Sequence, residues 1–194
     1  MKSQRGGPRR RTVNADQKKL TRDDWIEAGL SELALHGHQA LKIQGLCKRL
    51  KVTKGSFYHH FGNITEFHQA LLDYWRRDLD GTAPAGLKAS DQPLQALART
   101  VKHRDLPVYD FAIREWAKTN ALAARALSMQ DRFRHQRMKE LYVAQGFDEA
   151  EADHRAQIFQ WAWIGSAGQQ PARREKVLGL LFELLATSQA SPGA

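Results

Sequence analysis

One cysteine in 194 residues, Cys47, leaves this chain no intrachain disulfide and no Cys-x-x-Cys zinc site. Long hydrophobic runs are missing too. The greasiest, Val177–Ala186, has ten residues with Glu183 inside it, short of the ~20 needed to cross a bilayer. There is no Gly-rich phosphate loop, no Gly-x-Ser-x-Gly and no pair of carboxylates spaced for acid–base work, so an enzyme is not expected. Strand-like alternation, internal repeats and sustained heptads are also absent, which points to an all-α fold that is not a coiled coil. The N-terminus is basic but runs into Asn14-Ala15-Asp16 without an apolar segment, unlike a signal peptide. Histidines are plentiful, yet His36, His38, His59 and His60 combine with no cysteine or carboxylate at ligand spacing, so neither a metal nor a cofactor is expected. These absences leave a soluble, cytoplasmic, helical protein with no membrane partner.

What is present is positive charge, unevenly placed. The chain has a net charge of +9, and residues 1–62 hold 13 Lys/Arg against 5 Asp/Glu. The remainder is nearly balanced, with 17 against 16. A local excess of this kind suits a polyanionic partner. Residues 1–15, with Lys2, Arg5, Arg9, Arg10 and Arg11 around Gly6-Gly7-Pro8, read as a flexible basic arm. Such an arm is either a solvated tail or a segment that follows phosphates.

Leu41–Phe61 reads as two short helices broken at Lys51-Val52-Thr53. Ile43, Leu46, Cys47 and Leu50 fall on one apolar face, with Cys47 as small core packing. Thr53 is expected to cap a second helix, Lys54–His60, through its side-chain oxygen. Val52, Phe57 and Phe61 then turn inward and Lys54, Gly55, Ser56, Tyr58 and His59 outward. That outer set is basic, small and hydrogen-bonding, as a helix entering the major groove of double-stranded DNA requires. A supporting helix should begin at Thr21, where Thr21 and Asp24 form a capping box, and stop before Gly37. Trp25, Ile26, Gly29, Leu30 and Leu33 make its inner face.

Asn63 is expected to cap a connecting helix carrying Phe67, Leu71, Tyr74 and Trp75, followed by a connector at 81–86. Beyond it come helices only. One follows Pro93, with Leu94, Leu97, Ala98 and Val101, and a second covers Leu106–Thr119. Asn120 opens a long third helix closed by Gly146, and Asp148 opens a fourth ending before Pro171. The last runs over Ala172–Ser188, and residues 190–194 form a tail. The expected division is therefore 1–15, 16–62, 63–80, 81–189 and 190–194. Trp161, Trp163 and Ile164 point in different directions within one turn and cannot all face one core. With Gly165, Gly168, Val177, Leu181 and Leu184 they suggest a homodimer in which the last two helices pair with their copies. Trp75, Tyr109, Phe111, Trp116, Phe133, Phe159 and Trp163 are candidates to line a pocket for an apolar or aromatic effector, although each is also suited to core packing.

The run VTKGSFYHHF, preceded by Ala28, Leu33, Gly37, Ile43 and Leu46, resembles the helix-turn-helix of the tetracycline-repressor (TetR) family over residues 21–75. Farther on the likeness is architectural, with Arg114-x-Trp116-Ala117 and an Arg-rich long helix. The resemblance implies an N-terminal DNA-binding domain followed by a helical ligand-binding and dimerisation domain. It implies that Thr53, Lys54, Gly55, Ser56, Tyr58 and His59 face DNA, with Tyr58 and His60 near phosphates, and that Lys42 contacts phosphate from the start of the preceding helix. Two positions depart from the family pattern. Lys51 stands at a turn position usually held by glycine, and Ile64 replaces a frequent lysine. The implied function is a homodimeric, ligand-responsive repressor at a palindromic operator. A regulator controlled by a protein partner instead, with no small-molecule effector, stays open.

Overall fold

The computed structural model describes residues 20–80, 106–166 and 169–187. The expected basic arm, the connector, the helix after Pro93, Gly168 and the tail lie outside the described residues. Eight α-helices and no strand are found among those described. They are α1 Arg22–His36, α2 Ile43–Leu50, α3 Lys54–His60, α4 Ile64–Asp80, α5 Leu106–Ala117, α6 Ala121–Ala144, α7 Glu149–Gly165 and α8 Pro171–Ala186. None is long and apolar enough to cross a membrane.

Local chemistry accounts for most of the helix ends. Thr21 and Asp24 make the full reciprocal capping box, with Thr21 N donating to Asp24 Oδ2 at 2.7 Å and Asp24 N to Thr21 Oγ1 at 3.2 Å. Asn63 Oδ1 accepts from Glu66 N at the start of α4. Asn120 Oδ1 accepts from Leu122 N and Ala123 N, and Asp148 Oδ1 from Ala150 N and Glu151 N. Thr53 departs from expectation. It has the extended backbone of a cap, but its side chain makes no capping bond, and the turn is closed by Ser56 N donating to the Thr53 carbonyl at 3.1 Å. Pro171 takes the first position of α8, where its missing N–H costs nothing.

Between α2 and α3, Lys51 adopts φ 56° and ψ 41°, the left-handed region. It is the one non-glycine residue with positive φ among those described. A side chain at that position costs roughly 1–2 kcal/mol, and the turn compensates through backbone bonds. Lys51 N donates to the Lys48 carbonyl and Val52 N to that of Cys47.

Two apolar clusters hold the chain together. The first joins Trp25, Leu30, Leu33, Leu46 and Phe57 of the N-terminal helices to Phe67, Leu71 and Trp75 of α4. It continues into Ile113 and Trp116 of α5 and Ala123 of α6. The helix-turn-helix is thus packed against the rest of the chain through α4, with α1 also meeting α5. Gly29 makes this possible, because a Cβ there would stand 2.6 Å from Phe67 Cζ and 2.8 Å from Leu71 Cδ1. The second cluster lies between the end of α6, α7 and α8, with Met138, Tyr142, Phe159, Trp163, Leu178 and Phe182.

Candidate nucleic-acid interface

Helix α3 is backed by aromatic rings. Phe57 and Phe61 are fully buried. Phe57 meets Trp25 edge-on with centroids 5.4 Å apart, and Phe61 meets Phe67 at 5.1 Å. The far end of α3 is held by Arg22, whose Nη1 donates to the His60 carbonyl at 2.8 Å. The same guanidinium pairs with Glu66 at 3.2 Å and lies 4.4 Å over the Phe61 ring. Glu66 also accepts from Gly62 N at 2.8 Å. That backbone bond first, then Arg22, holds its carboxyl below the usual range. The recognition helix is therefore fixed at its middle and its C-terminal end to α1 and α4.

The opposite face is open. Lys42, Thr53, Lys54, Gly55, Tyr58 and His59 are exposed, and Ser56 and His60 are half-buried. No Asp or Glu occurs between Glu32 and Glu66, whereas five Lys/Arg do. Of these, Arg49 is drawn back to Glu32 at 3.2 Å, leaving Lys42, Lys48, Lys51 and Lys54 as the outward cations. Lys42, Lys54 and Tyr58 line one cleft together with Gln39, Gln44 and Ile64. Gln39 and Gln44 were not singled out from the sequence. Their signal was available, since Gln44 is an exposed amide in the first turn of α2, where backbone N–H groups already favour phosphate. Gly55 is not small for internal reasons, as a Cβ there meets nothing closer than Thr53 Oγ1 at 3.5 Å. Its smallness leaves the outer face of α3 without a side chain at that point. Ile64 is half-buried and packs on the first cluster, so the departure from lysine is used for packing.

Cys47 is buried on the inner side, and burial raises its thiol pKa, with Lys54 acting in the opposite sense. It is packing rather than a nucleophile.

The seven aromatic residues considered for a pocket are spread over the molecule. Trp75 and Trp116 belong to the first cluster with Tyr109 against it, while Phe159 and Trp163 belong to the second. Phe111 and Phe133 are exposed. Trp75 and Trp163, one from each cluster, both face the Arg134 guanidinium, 5.6 Å from one ring and 5.9 Å from the other. Around Arg134 lies a partly buried charge cluster of Asp110, Arg114, Asp131 and Arg174 that sequence reasoning missed. Of the residues considered for a dimer contact, Trp161, Val177 and Leu184 are exposed by 64%, 51% and 62%. Gly165 is exposed as well, whereas Ile164 and Leu181 are half-buried against the second cluster. Leu180 and Ile158 extend the exposed apolar surface.

Comparison with known proteins agrees with this geometry. Residues 26–71 match the family model described as bacterial regulatory proteins, tetR family. The transcriptional regulator AcuR of Cereibacter sphaeroides is 30% identical over 183 residues, which covers 86% of this chain and 80% of the relative. A transcriptional regulator from Rhodococcus sp. Rha1 superposes with a TM-score of 0.69 at 16% identity, covering 86% of this chain and 96% of the other. The regulatory protein TetR from Rhodobacter sphaeroides does so with 0.60 at 21% identity, over 84% and 95%.

Proposed function

The chain belongs to the tetR family of bacterial regulatory proteins and is a DNA-binding transcriptional regulator, and from that premise we propose that it is a cytoplasmic, ligand-responsive repressor that binds a palindromic operator as a homodimer. In this reading residues 16–62 are the DNA-binding part, 63–80 the connecting helix and 81–189 the effector-binding and dimerisation part. One observation carries the DNA assignment: the acid-free outer face formed by Lys42, Lys54, Tyr58 and His59 on a helix fixed from behind. Lys54, Gly55, Ser56 and His59 lie nearest base edges, and Lys42, Tyr58 and His60 nearest phosphates. The dimer reading draws support from the exposed Trp161, Val177, Leu180 and Leu184 on α7 and α8, an apolar surface a single soluble chain would not leave bare. Two recognition helices placed symmetrically can then meet successive major grooves about one helical turn apart.

For the response, α4 is the connecting part, since it packs on the N-terminal helices at one end and reaches Arg134 through Trp75 at the other. An effector that binds two arrangements of α4 unequally changes the separation of the recognition helices. Selection of bound sequences from a random DNA pool tests the reading. We expect an inverted repeat whose half-sites are about one turn apart, and an affinity that falls steeply with salt. Selection of an asymmetric single site would overturn the dimeric operator, and salt-independent binding would overturn the groove assignment.

A further inference from the structure

A groove of about 810 Å³ lies between α5, α6 and α7. Sites for small organic molecules have this size, roughly 300–1,000 Å³. Helices α5 and α6 run antiparallel, with Asp110 paired to Arg134 and Arg114 to Asp131. That register divides the groove along its length. Ala117, Ala124 and Leu127 lie towards the α5–α6 turn and make an end with small, apolar side chains. Arg114, Asp131, Arg132 and Gln136 lie farther from the turn and make a polar end.

The wall is positive. It holds Arg114, Lys118 and Arg132 against the carboxylate of Asp131. Arg114 engages that carboxylate through both Nη atoms, at 2.9 and 2.6 Å. Lys118 is drawn to Glu115 at 2.6 Å, and His135 faces Asp153 at 3.0 Å. Arg132 is exposed, and its Nη1 donates to a neutral partner, the Ser128 hydroxyl, at 2.8 Å. It is the cation of this wall best placed to meet an anion. Helix α7 supplies the third side. Its spacing gives three strips: Ala152, Ala156, Phe159 and Trp163 are buried in the second cluster, and Ile158 and Trp161 are exposed. Gln157 and Gln160 lie between them, half-buried and in the groove, where their amides offer both donors and acceptors. An occupant that matches these walls has an apolar body for the alanine end and a negative head for Arg132. A cation would meet like charge.

We propose that this groove is the effector site and that it takes an amphiphilic organic anion, an aromatic or aliphatic body carrying one acidic head group beside Arg132. This rests on the ligand-responsive reading above and supplies its chemistry. The groove wall meets the connecting helix through two contacts. Asp131 Oδ1 is 3.5 Å from Arg134 Nη1, and the Arg134 guanidinium lies 5.6 Å from the Trp75 ring of α4. An occupant that shifts the Arg114–Asp131 pair acts on α4 by this route, to the extent that it binds the two arrangements unequally.

The test uses the full chain and naphthalene-2-sulfonate, with the neutral naphthalene-2-sulfonamide and the body-less methanesulfonate as controls. Calorimetric titration reads binding, and fluorescence anisotropy reads release of the selected operator. The naphthalene sulfonate is expected to bind about tenfold more tightly than either control, the scale of one charge-assisted bond, and to release DNA. Arg132→Gln, a change at an exposed residue, should melt with the parent, bind the sulfonamide as the parent does and lose the preference for the anion. Ala124→Leu fills the apolar end and should weaken both naphthalene compounds; if it fails to fold, the Arg132 comparison decides alone. Equal binding of sulfonate and sulfonamide by the parent would overturn the proposal, as would methanesulfonate binding as tightly as the naphthalene sulfonate. A preference for the anion that survives in the Arg132→Gln protein would put the anion elsewhere and overturn the groove. If neutral molecules release DNA and the sulfonate does not bind, the ligand response stands and this site falls. If the sulfonate binds with the expected dependence on Arg132 but DNA is retained, the site stands and its effector role falls.

Discussion

The imidazole of His68 lies edge-on to the indole of Trp116, with centroids 5.1 Å apart and planes 81° apart. Its Nε2 is 3.1 Å from the carbonyl of Leu41, just ahead of α2. One side chain of α4 therefore touches α5 on one side and the approach to the recognition unit on the other. Burial lowers its pKa from the ordinary 6.5; the Leu41 carbonyl opposes this and His38 adds to it. The folded chain thus binds a proton at this ring less readily than the unfolded chain does. Stability should be complete above about pH 6.5 and fall as the pH drops below it. His68→Gln, which keeps an N–H for Leu41, should flatten that part of the profile in urea melts between pH 7 and 5. Identical profiles for the two proteins would show that His68 is not the group responsible.

Lys51 carries backbone strain that a glycine would not. Replacing it by glycine should stabilise the chain by up to about 1 kcal/mol, the relief of a left-handed side chain less the entropy glycine loses on folding. Chemical denaturation measures this directly. A loss of stability would mean that the Lys51 side chain contributes more than its backbone costs.

Gly29 tolerates no side chain. Alanine would place a methyl against the fully buried Phe67 and Leu71. Overpacking of that kind costs about 1–3 kcal/mol, against roughly 1 kcal/mol returned by helix propensity. A net destabilisation of about 1–2 kcal/mol is expected near the high end of that range. Thermal melts of Gly29→Ala should show it, and an unchanged melting temperature would mean that α1 and α4 separate easily.

Tyr58 and Lys54 should fail differently. Tyr58→Ala is expected to weaken binding to all sequences by about tenfold, as loss of a hydrogen bond to phosphate does. Lys54→Ala should lower the discrimination between the selected operator and single-base variants by about 1–3 kcal/mol. Fluorescence anisotropy with matched duplexes separates the two effects. Parental binding by both variants would remove α3 from the groove.

Trp161 is a sharp probe of self-association. An exposed indole buried twice in a symmetric contact is a candidate hot spot, and Trp161→Glu should weaken the dimer by more than tenfold. Analytical ultracentrifugation would read the shift towards monomer. A parent that sediments as a monomer at micromolar concentration would end the dimer proposal.

What could be foreseen from the sequence was local. The bonds of Thr21, Asn63, Asn120 and Asp148 close within about four residues, so residue type and spacing announce them. Lys51 could be singled out because the family the sequence resembles usually has glycine at that turn position. The Thr53 cap failed for a similarly local reason, since the backbone carbonyl closes the turn and leaves the hydroxyl unused. The pairing of Asp110 with Arg134 and of Asp131 with Arg114 depends on how two helices approach one another. No periodicity encodes that. The aromatic residues show the same limit. Helical spacing puts Phe111 and Trp116 in one helix, but only packing decides that Trp116 is buried and Phe111 exposed.

Arg22 makes the recognition helix and the start of α4 into a single lever. Bound to the His60 carbonyl, to Glu66 and to the Phe61 face, it leaves no slack at the Gly62-Asn63 corner. Seventeen residues of α4 span about 25 Å at 1.5 Å per residue. A sideways displacement of ~2 Å at the far end would rotate such a rigid arm by roughly 5°, by the same helix geometry. If α4 transmits the proposed response, the Arg22 contacts across this corner direct the bending elsewhere.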